Sequence, residues 1–562
     1  MIARTLLIVL ALLPALTVGA ELDLFVTDYM EKPSPNQRPL VDRPLAYAAP
    51  REVTVTTADG KKLTYKAPTL VAIERKGAGD PRKASLFASP GEYEPFSLLL
   101  RPRTTLETVF LEGTALTGPS GTIPASNVTM YSAEGTLGKG RILLLTLGRK
   151  WNMGARSTEH FWYTVRVPKN AKPGVYKGEV VVTSKGQRVG AIAVELEVLP
   201  IQLEDPPYGL GFNYSNPKDP KLLAIQLADM REHGMTTVAP LYEWHLPVHD
   251  TDTSELGALI EAYKKAGFTA PLFFSTPMNL QLSELAGYGN ETSRRWQQKF
   301  IQVMRLLHAE TLRHNVPVLM SIGDELTNKG IEGVKIAGRL ARFVWEELPE
   351  IATTSDMNGY REVMAMAPFL NVATFNNGWD GIDHHNGGRH LINHAFIQEL
   401  QEKTGAIPWF VNAGSERLPF GLFFWKMARL GVRGKVEWYY CLRNGKGSLV
   451  KLDGARITPT IEYERCREGI DDLKYVCKLE SLIATAKAAG KAQTERVKAE
   501  TLLKTIEEGI QDDWSAYSAG GARFPEDGFA VLDPQKTVGF GSFNAVRRAV
   551  ADRIVALQAA LD

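Results

Sequence analysis

The chain has 562 residues, with 65 lysines and arginines against 63 aspartates and glutamates, for a formal net charge of +2. A balance this close excludes the basic field that nucleic-acid binding requires and leaves no acidic interaction tail. Apolar content of 44% and charged content of 23% describe an ordinary globular chain, long enough for two to four domains.

Residues 1–20 read as a targeting segment. Arg4 supplies the positive start, Leu6 to Leu16 form an apolar run too short to span a bilayer, and Val18-Gly19-Ala20 fits a small-residue cleavage site. The expectation is a mature chain beginning at Glu21, secreted or periplasmic, with an uncleaved membrane anchor as the alternative. No cysteine follows the apolar run, which argues against a lipoprotein anchor, and no later stretch is long and apolar enough to cross a membrane.

Residues 21–205 carry short strand-like runs over 53–57, 96–100, 161–167, 178–183 and 191–198, punctuated by turn signals such as Pro168-Lys169-Asn170 and Lys172-Pro173-Gly174. Short strands at regular spacing predict a β-sandwich. Pro206-Pro207 marks a linker. From there to 465 the pattern alternates. Apolar strands are expected over 208–214, 236–240, 270–275, 317–323, 351–354, 371–375, 407–411 and 435–440, with helices over 221–233, 294–313, 334–348 and 391–403 among those between. Eight such units predict a central (β/α)8 TIM-like barrel over 206–465, with a doubly wound open sheet as the competing fold.

Residues 466–562 predict a C-terminal α-helical region. Leu479, Leu482, Ile483 and Ala486 share one face, as do Leu502, Leu503, Ile506 and Ile510, and Val546, Val550, Ile554, Leu557 and Leu561. The stretch 518–541 between the last two reads as a loop. Cys466 and Cys477 lie about 16 Å apart along a helix and could not bridge there; Cys441 could pair with either, or all three could be buried thiols. No CxxC, HExxH or phosphate-loop signature stands in a convincing context.

In a barrel of this type, chemistry gathers where strands end and loops begin. The fourth strand ends Met320-Ser321-Ile322-Gly323-Asp324-Glu325. Gly323 can relax the backbone so that both carboxylates face the mouth. Two acids at a buried strand end are costly unless used or paired, and close carboxylates push one titration upward, as a general acid requires. The alternative has Asp324 capping the following turn and Glu325 paired with a base.

At this point the chain resembles glycoside hydrolase family 123 and a wider group of related bacterial proteins. The resemblance rests on Gly91-Glu92-Tyr93-Glu94-Pro95-Phe96; on Phe161-Trp162-Tyr163-Thr164-Val165 followed by Val167-Pro168 and Pro173-Gly174-Val175-Tyr176-Lys177-Gly178; on Asp324-Glu325; and on Arg467-Glu468-Gly469-Ile470-Asp471-Asp472. It implies a β-sandwich leading into a catalytic barrel that cleaves β-N-acetylgalactosaminides with retention through substrate assistance, one of the exceptions to the two-carboxylate scheme. In that scheme the substrate's 2-acetamido oxygen attacks the anomeric carbon. Asp324 would orient the acetamido group, and Glu325, protonated at the start, would serve as acid and then base. A carbohydrate substrate is the implied partner, and no cofactor or metal is called for.

Sugar rings stack on aromatic faces, and their hydroxyls need amide or carboxylate partners. Asn213, Tyr242, Asn376, Trp379, Asn412, Glu437, Trp438 and Tyr439 lie at or just beyond strand ends and are the candidate substrate contacts, Tyr439 for the acetamido group. Asp383, His384, His385, His390 and His394 fall in a Gly- and Asn-rich stretch that reads as a loop rather than a metal centre. Two other functions fit the same residues: a two-carboxylate retaining glycosidase with Glu325 as acid and Glu416 or Glu437 as nucleophile, and a non-catalytic carbohydrate-binding or envelope protein.

Overall fold

The structure is a computed structural model that describes residues 22–27, 29–30, 45–56, 62–72, 82–137, 141–146, 151–241, 245–275, 285–378, 382, 389–442, 449–517 and 543–562. The chain divides into two compact units, one comprising Met1–Ala133 with Thr146–Leu199, the other Glu134–Leu145 with Pro200–Asp562.

The first unit contains two large sheets and a two-stranded one, Leu45–Thr56 paired with Lys62–Ala72. In one of the large sheets Leu22–Thr27, Tyr93–Pro102, Glu159–Arg166 and Val128–Leu137 lie side by side in that order. The main path of the seven-stranded sheet runs Trp151–Met153, Leu106–Gly113, Gly174–Ser184, Gln187–Val198 and Lys83–Ala88. Period-two alternation explains the core: Val109, Leu111 and Gly113 are buried while Phe110 and Glu112 face outward. Inward residues of both sheets, including Leu98, Phe161, Val165, Val182, Ile192 and Leu196, share one apolar cluster.

Two of the motifs that carried the resemblance meet here. Phe96 and Tyr163 are opposite in register and stack at 4.9 Å. Gly91 (φ +94°) donates its N–H to the Val167 carbonyl at 3.0 Å, and the Val167 N–H returns to the Glu92 carbonyl at 2.8 Å. These motifs are structural. Truncating either ring would cost about 3–5 kcal/mol.

The second unit contains an eight-stranded parallel sheet. In chain order its strands are Gly209–Tyr214, Ala239–Pro240, Leu272–Phe274, Val318–Asp324, Thr353–Met357, Val372–Phe375, Ile407–Val411 and Gly434–Trp438. The spatial order runs from the second strand through the first and eighth down to the third. Backbone bonds from Ala270 to Thr236 (3.0 Å) and from Phe273 to Val238 (3.2 Å) link the second strand to the third, so the ring is nearly closed. All eight expected strands are present. The open-sheet alternative is set aside by that linkage.

Inward residues form a floor of Ala239, Phe273, Leu319, Val372, Trp409 and Val436. Trp409 fits because Gly209 and Gly434 flank it; a Cβ on either would sit 2.2 Å from the indole.

Several boundaries differ from expectation: the second, third and eighth strands are confined to Ala239–Pro240, Leu272–Phe274 and Gly434–Trp438. The fifth strand runs on to Met357, beyond Thr354, because its polar residues Thr354, Ser355 and Asp356 are buried inside the ladder. The helical region opens at Ile461, where Thr460 accepts the Tyr463 N–H at 3.3 Å and caps a 29-residue helix ending at Ala489.

Helices Ile461–Ala489, Gln493–Gly509 and Phe543–Leu561 pack on one another through Leu479, Ala486, Leu503, Ile506, Val546, Val550, Ile554 and Leu557. The fourth motif of the resemblance anchors this packing. Gly469 lets the helix approach the loop after the seventh strand, since a Cβ there would lie 2.3 Å from the Arg417 carbonyl. Asp472 takes a bidentate bond from Arg417 (2.6 and 2.8 Å) and a third from Arg547 (2.6 Å), while Arg547 also binds Glu468 at 2.9 Å. Burial pushes the Asp472 carboxyl upward, but the two guanidinium groups outweigh it and hold it below its ordinary value. Cys441, Cys466 and Cys477 are unbridged.

Candidate active site

Alternation above the barrel floor decides which side chains reach the mouth. Val372 points inward, so Thr374 and Asn376 follow it. Thr354 meets Thr374 hydroxyl to hydroxyl at 2.8 Å, which places Thr354 and then Asp356 on the inward face. Phe273 brings Ser275 inward, and Val436 brings Trp438 inward, with Asn213 beside it in register. Three buried polar atoms on this face, Asn213 Oδ1, Ser275 Oγ and Asp356 Oδ1, have no hydrogen-bond partner among the described residues. Buried polar atoms that lack a protein partner are what a hydroxyl-rich ligand or water satisfies.

The acid pair reaches the same face through a β-bulge. Ser321 pairs with Thr354, but Asp324 pairs with Asp356, so three steps on the fourth strand match two on the fifth. The extra residue turns Gly323 outward, where a Cβ would lie 2.7 Å from Ser355 Oγ, and brings Asp324 onto the face of Asp356. Glu325 then adopts left-handed backbone (φ 46°, ψ 46°), and its N–H donates to the Asp356 carbonyl at 2.8 Å. Both carboxylates are half-buried.

A buried glutamate holds this turn. Glu362 accepts from the Leu326 N–H (2.7 Å), the Asn358 N–H (2.9 Å) and Thr327 Oγ1 (3.2 Å), tying the exits of strands four and five together. Burial raises its titration to about 7 against those three donors, with the charge of Glu325 adding to the rise. Asp356 is pushed well above the ordinary carboxylate value, first by burial and then by Asp324, Glu325 and Glu362. Four carboxyl groups thus share one strand-end cluster, and Asp356 holds a proton where an ordinary aspartate would have lost it.

The remaining predicted residues separate. Asn213 and Trp438 face the mouth. Tyr439 is half-buried with its ring edge-on to Trp438 at 5.0 Å; burial raises its hydroxyl, opposed by Arg141. Asn412 has left-handed backbone (φ 57°), and its Oδ1 accepts the Trp438 N–H at 3.0 Å, so it braces the eighth strand. Asn376, expected to contact sugar, is fully buried: its Oδ1 takes the Gly378 N–H at 3.0 Å and its Nδ2 donates to Asn358. That commits it to the frame. Tyr242 and Trp379 lie outside the described residues, as do Asp383, His384 and His385. His390 meets Asn377 at 3.1 Å, and His394 faces Asp512 at 3.6 Å.

Glu437 requires a correction. It is in register with Phe212, whose ring packs outward against Phe420 and Tyr463, so Glu437 points away from the mouth. There it meets the fully buried Lys435 at 2.7 Å, whose ammonium also donates to the Gly414 carbonyl at 2.8 Å. Glu416 and Glu437 both act electrostatically on Cys466 of the long helix. Neither is among the charges acting on Asp356.

Four functional candidates escape the sequence reading: Asp356, Glu362, Asn358 and Arg141. Asp356 lies beyond the point where the fifth strand was expected to end. Arg141 is carried by the segment Glu134–Leu145 and donates to Ser415 Oγ at 3.3 Å beside the seventh-strand exit; nothing in the local sequence around Arg141 signals this.

The fold so assembled is a barrel with an acid pair at its fourth strand, and comparison with known proteins finds a solved structure of the same fold. It is similar to a family 123 glycoside hydrolase from Clostridium perfringens, with TM-score 0.60 and 12% identity over 85% of this chain and 95% of that one. A family 39 glycoside hydrolase from Bacteroides cellulosilyticus WH2 (TM-score 0.34, 12% identity, 64% and 80% coverage) and a β-D-glucuronidase of Dictyoglomus thermophilum (TM-score 0.33, 12% identity, 76% and 77%) align at levels that establish no common fold. No family model and no curated protein matches the sequence.

Proposed function

We propose that this chain is a secreted glycoside hydrolase that acts on 2-acetamido sugars, GalNAc-like in type, with retention through substrate assistance. The observation that carries the reading is the bulge that turns Asp324 onto the inward face beside Asp356 and sets Glu325 directly after it. The fold shared with a family 123 enzyme supports it.

In this mechanism the acetamido oxygen forms a bond to the anomeric carbon as the glycosidic C–O bond breaks, and Glu325 gives its proton to the leaving oxygen. Asp324 accepts the acetamido N–H and stabilises the positive charge of the oxazolinium ion; such preorganised groups are worth about 10²–10³ in rate. Water then attacks the anomeric carbon, Glu325 takes its proton, and the ring opens with configuration retained. Asn213 and Ser275 supply sugar hydroxyl partners, and Trp438 an aromatic wall. The targeting pattern of residues 1–20 supports export.

The two-carboxylate alternative needs a nucleophile about 5–5.5 Å from the acid. Glu437 is directed outward and neutralised by Lys435, which disfavours it. The test is inhibition: a thiazoline that mimics the oxazoline should inhibit competitively, and a fluorosugar should leave no covalent adduct. An adduct on a carboxylate, with no thiazoline inhibition, overturns substrate assistance.

A further inference from the structure

The carboxylate of Glu325 stands at the end of a one-way chain of amides. The Gly378 N–H donates to Asn376 Oδ1 at 3.0 Å. Asn376 Nδ2 donates to Asn358 Oδ1, Asn358 Nδ2 to Asn328 Oδ1 at 3.4 Å, and Asn328 Nδ2 to Glu325 Oε2 at 3.1 Å. Side-chain amides can be turned end for end, but here the first donor forbids it. The Gly378 backbone N–H can only donate, so it fixes Asn376, which fixes Asn358, which fixes Asn328. Flipping any one amide sets two NH2 groups, or an NH2 and an N–H, against each other.

The chain crosses the exits of strands six, five and four, and its members grow more exposed toward Glu325. Asn376 and Asn358 are buried, and Asn328 is exposed. The backbone that carries the last step is held as well. The Asn328 N–H donates to the Glu325 carbonyl at 2.9 Å, and Glu362 clamps Leu326, Thr327 and Asn358. A carboxyl group whose Oε2 already accepts an N–H carries its proton on Oε1.

We propose that Asn328, oriented by Asn358 and Asn376, is the positioning residue of Glu325: it fixes Oε2 as the acceptor and leaves Oε1 to give and take the catalytic proton. The role rests on the hydrolase reading. Titratable groups near Glu325 among the described residues include Asp324 beside it in sequence, and Asp356 and Glu362 from the fifth-strand exit and the helix Tyr360–Met366.

The experiment compares wild type, Asn328→Ala and Asn328→Asp in two readouts. One is the pH profile of kcat on aryl glycosides with poor and good leaving groups. The other is a carbon-13 titration of the glutamate carboxyls, with Glu325 assigned by Glu325→Gln, which needs no activity. In Asn328→Ala the Glu325 titration and the alkaline limb of kcat should move up by about half a pH unit, and kcat should fall about tenfold on the poor leaving group and less on the good one. Asn328→Asp, which swaps the donor for a like charge, should move both further. A residue with only a structural role would lower kcat equally at every pH and leave the titration in place, and that result overturns the inference. If the titration moves but wild type cleaves no glycoside, the hydrolase reading fails while the hydrogen bond stands.

Discussion

The exits of strands four and five and the exits of strands seven and eight both bury acids, yet they treat them oppositely. At strands seven and eight, Glu437 is matched by Lys435 at 2.7 Å, and the ammonium is further satisfied by a carbonyl and lies 4.7 Å from the Phe420 ring centroid. At strands four and five, Asp324, Glu325, Asp356 and Glu362 stand together, and the groups that act on Asp356 are all acids. A matched pair stabilises a fold and has no chemistry left to offer. A cluster of acids stores protons at neutral pH, which a general acid must do. The difference comes from strand phase: Glu437 falls on the outward face with Phe212, while the bulge shifts Asp324 onto the inward one.

Substitutions at the two exits should therefore fail in different ways. Asp324→Asn should lose about 10²–10³ in kcat on an N-acetylated aryl glycoside with the melting temperature little changed, measured by steady-state kinetics beside calorimetry. Glu437→Gln should do the reverse. It leaves the Lys435 ammonium buried without its counter-ion, a cost of about 3–5 kcal/mol in denaturant unfolding, and the ratio of rates on poor and good leaving groups should stay at the wild-type value. Selective loss on the poor leaving group would return Glu437 to the active site.

Glu362 sharpens the comparison through pH. Its titration lies at about 7 against an ordinary 4.5, so the stability tied to its proton is fully present below 4.5 and is lost as pH rises through about 7. That is about 3 kcal/mol across the window. Glu362→Gln should flatten this part of the unfolding free energy against pH relative to wild type, whereas equal slopes would mean Glu362 is ionised throughout. Asp472 behaves with the opposite sign: its depressed titration gives stability that is lost only as pH falls through its folded value.

The barrel is legible in the sequence because its strands are apolar runs that recur between amphipathic helices, and Asp324-Glu325 is legible because it ends such a run behind a glycine. The fifth strand breaks that rule. Thr353-Thr354-Ser355-Asp356-Met357 is polar yet buried, since Thr354 pays its hydroxyl cost by pairing with Thr374, so Asp356 reads as loop. Side-chain direction is less legible than strand position. Lys435-Val436-Glu437-Trp438 alternates cleanly, but only the packing of Val436 against the floor and of Phe212 on Phe420 says which phase is inward. Asn376 sits at a strand end as expected, and only its partners reveal that it serves the frame.

The most direct test of the account is the Glu325→Gln variant assayed on 2-acetamido aryl glycosides of graded leaving-group acidity. If Glu325 is the acid, kcat/KM should fall about 10²–10⁴-fold for a poor leaving group and far less for an activated nitrophenol, steepening the dependence on leaving-group pKa. An unchanged slope, with wild-type rates across the series, would take the proton-transfer role away from the fourth-strand exit altogether.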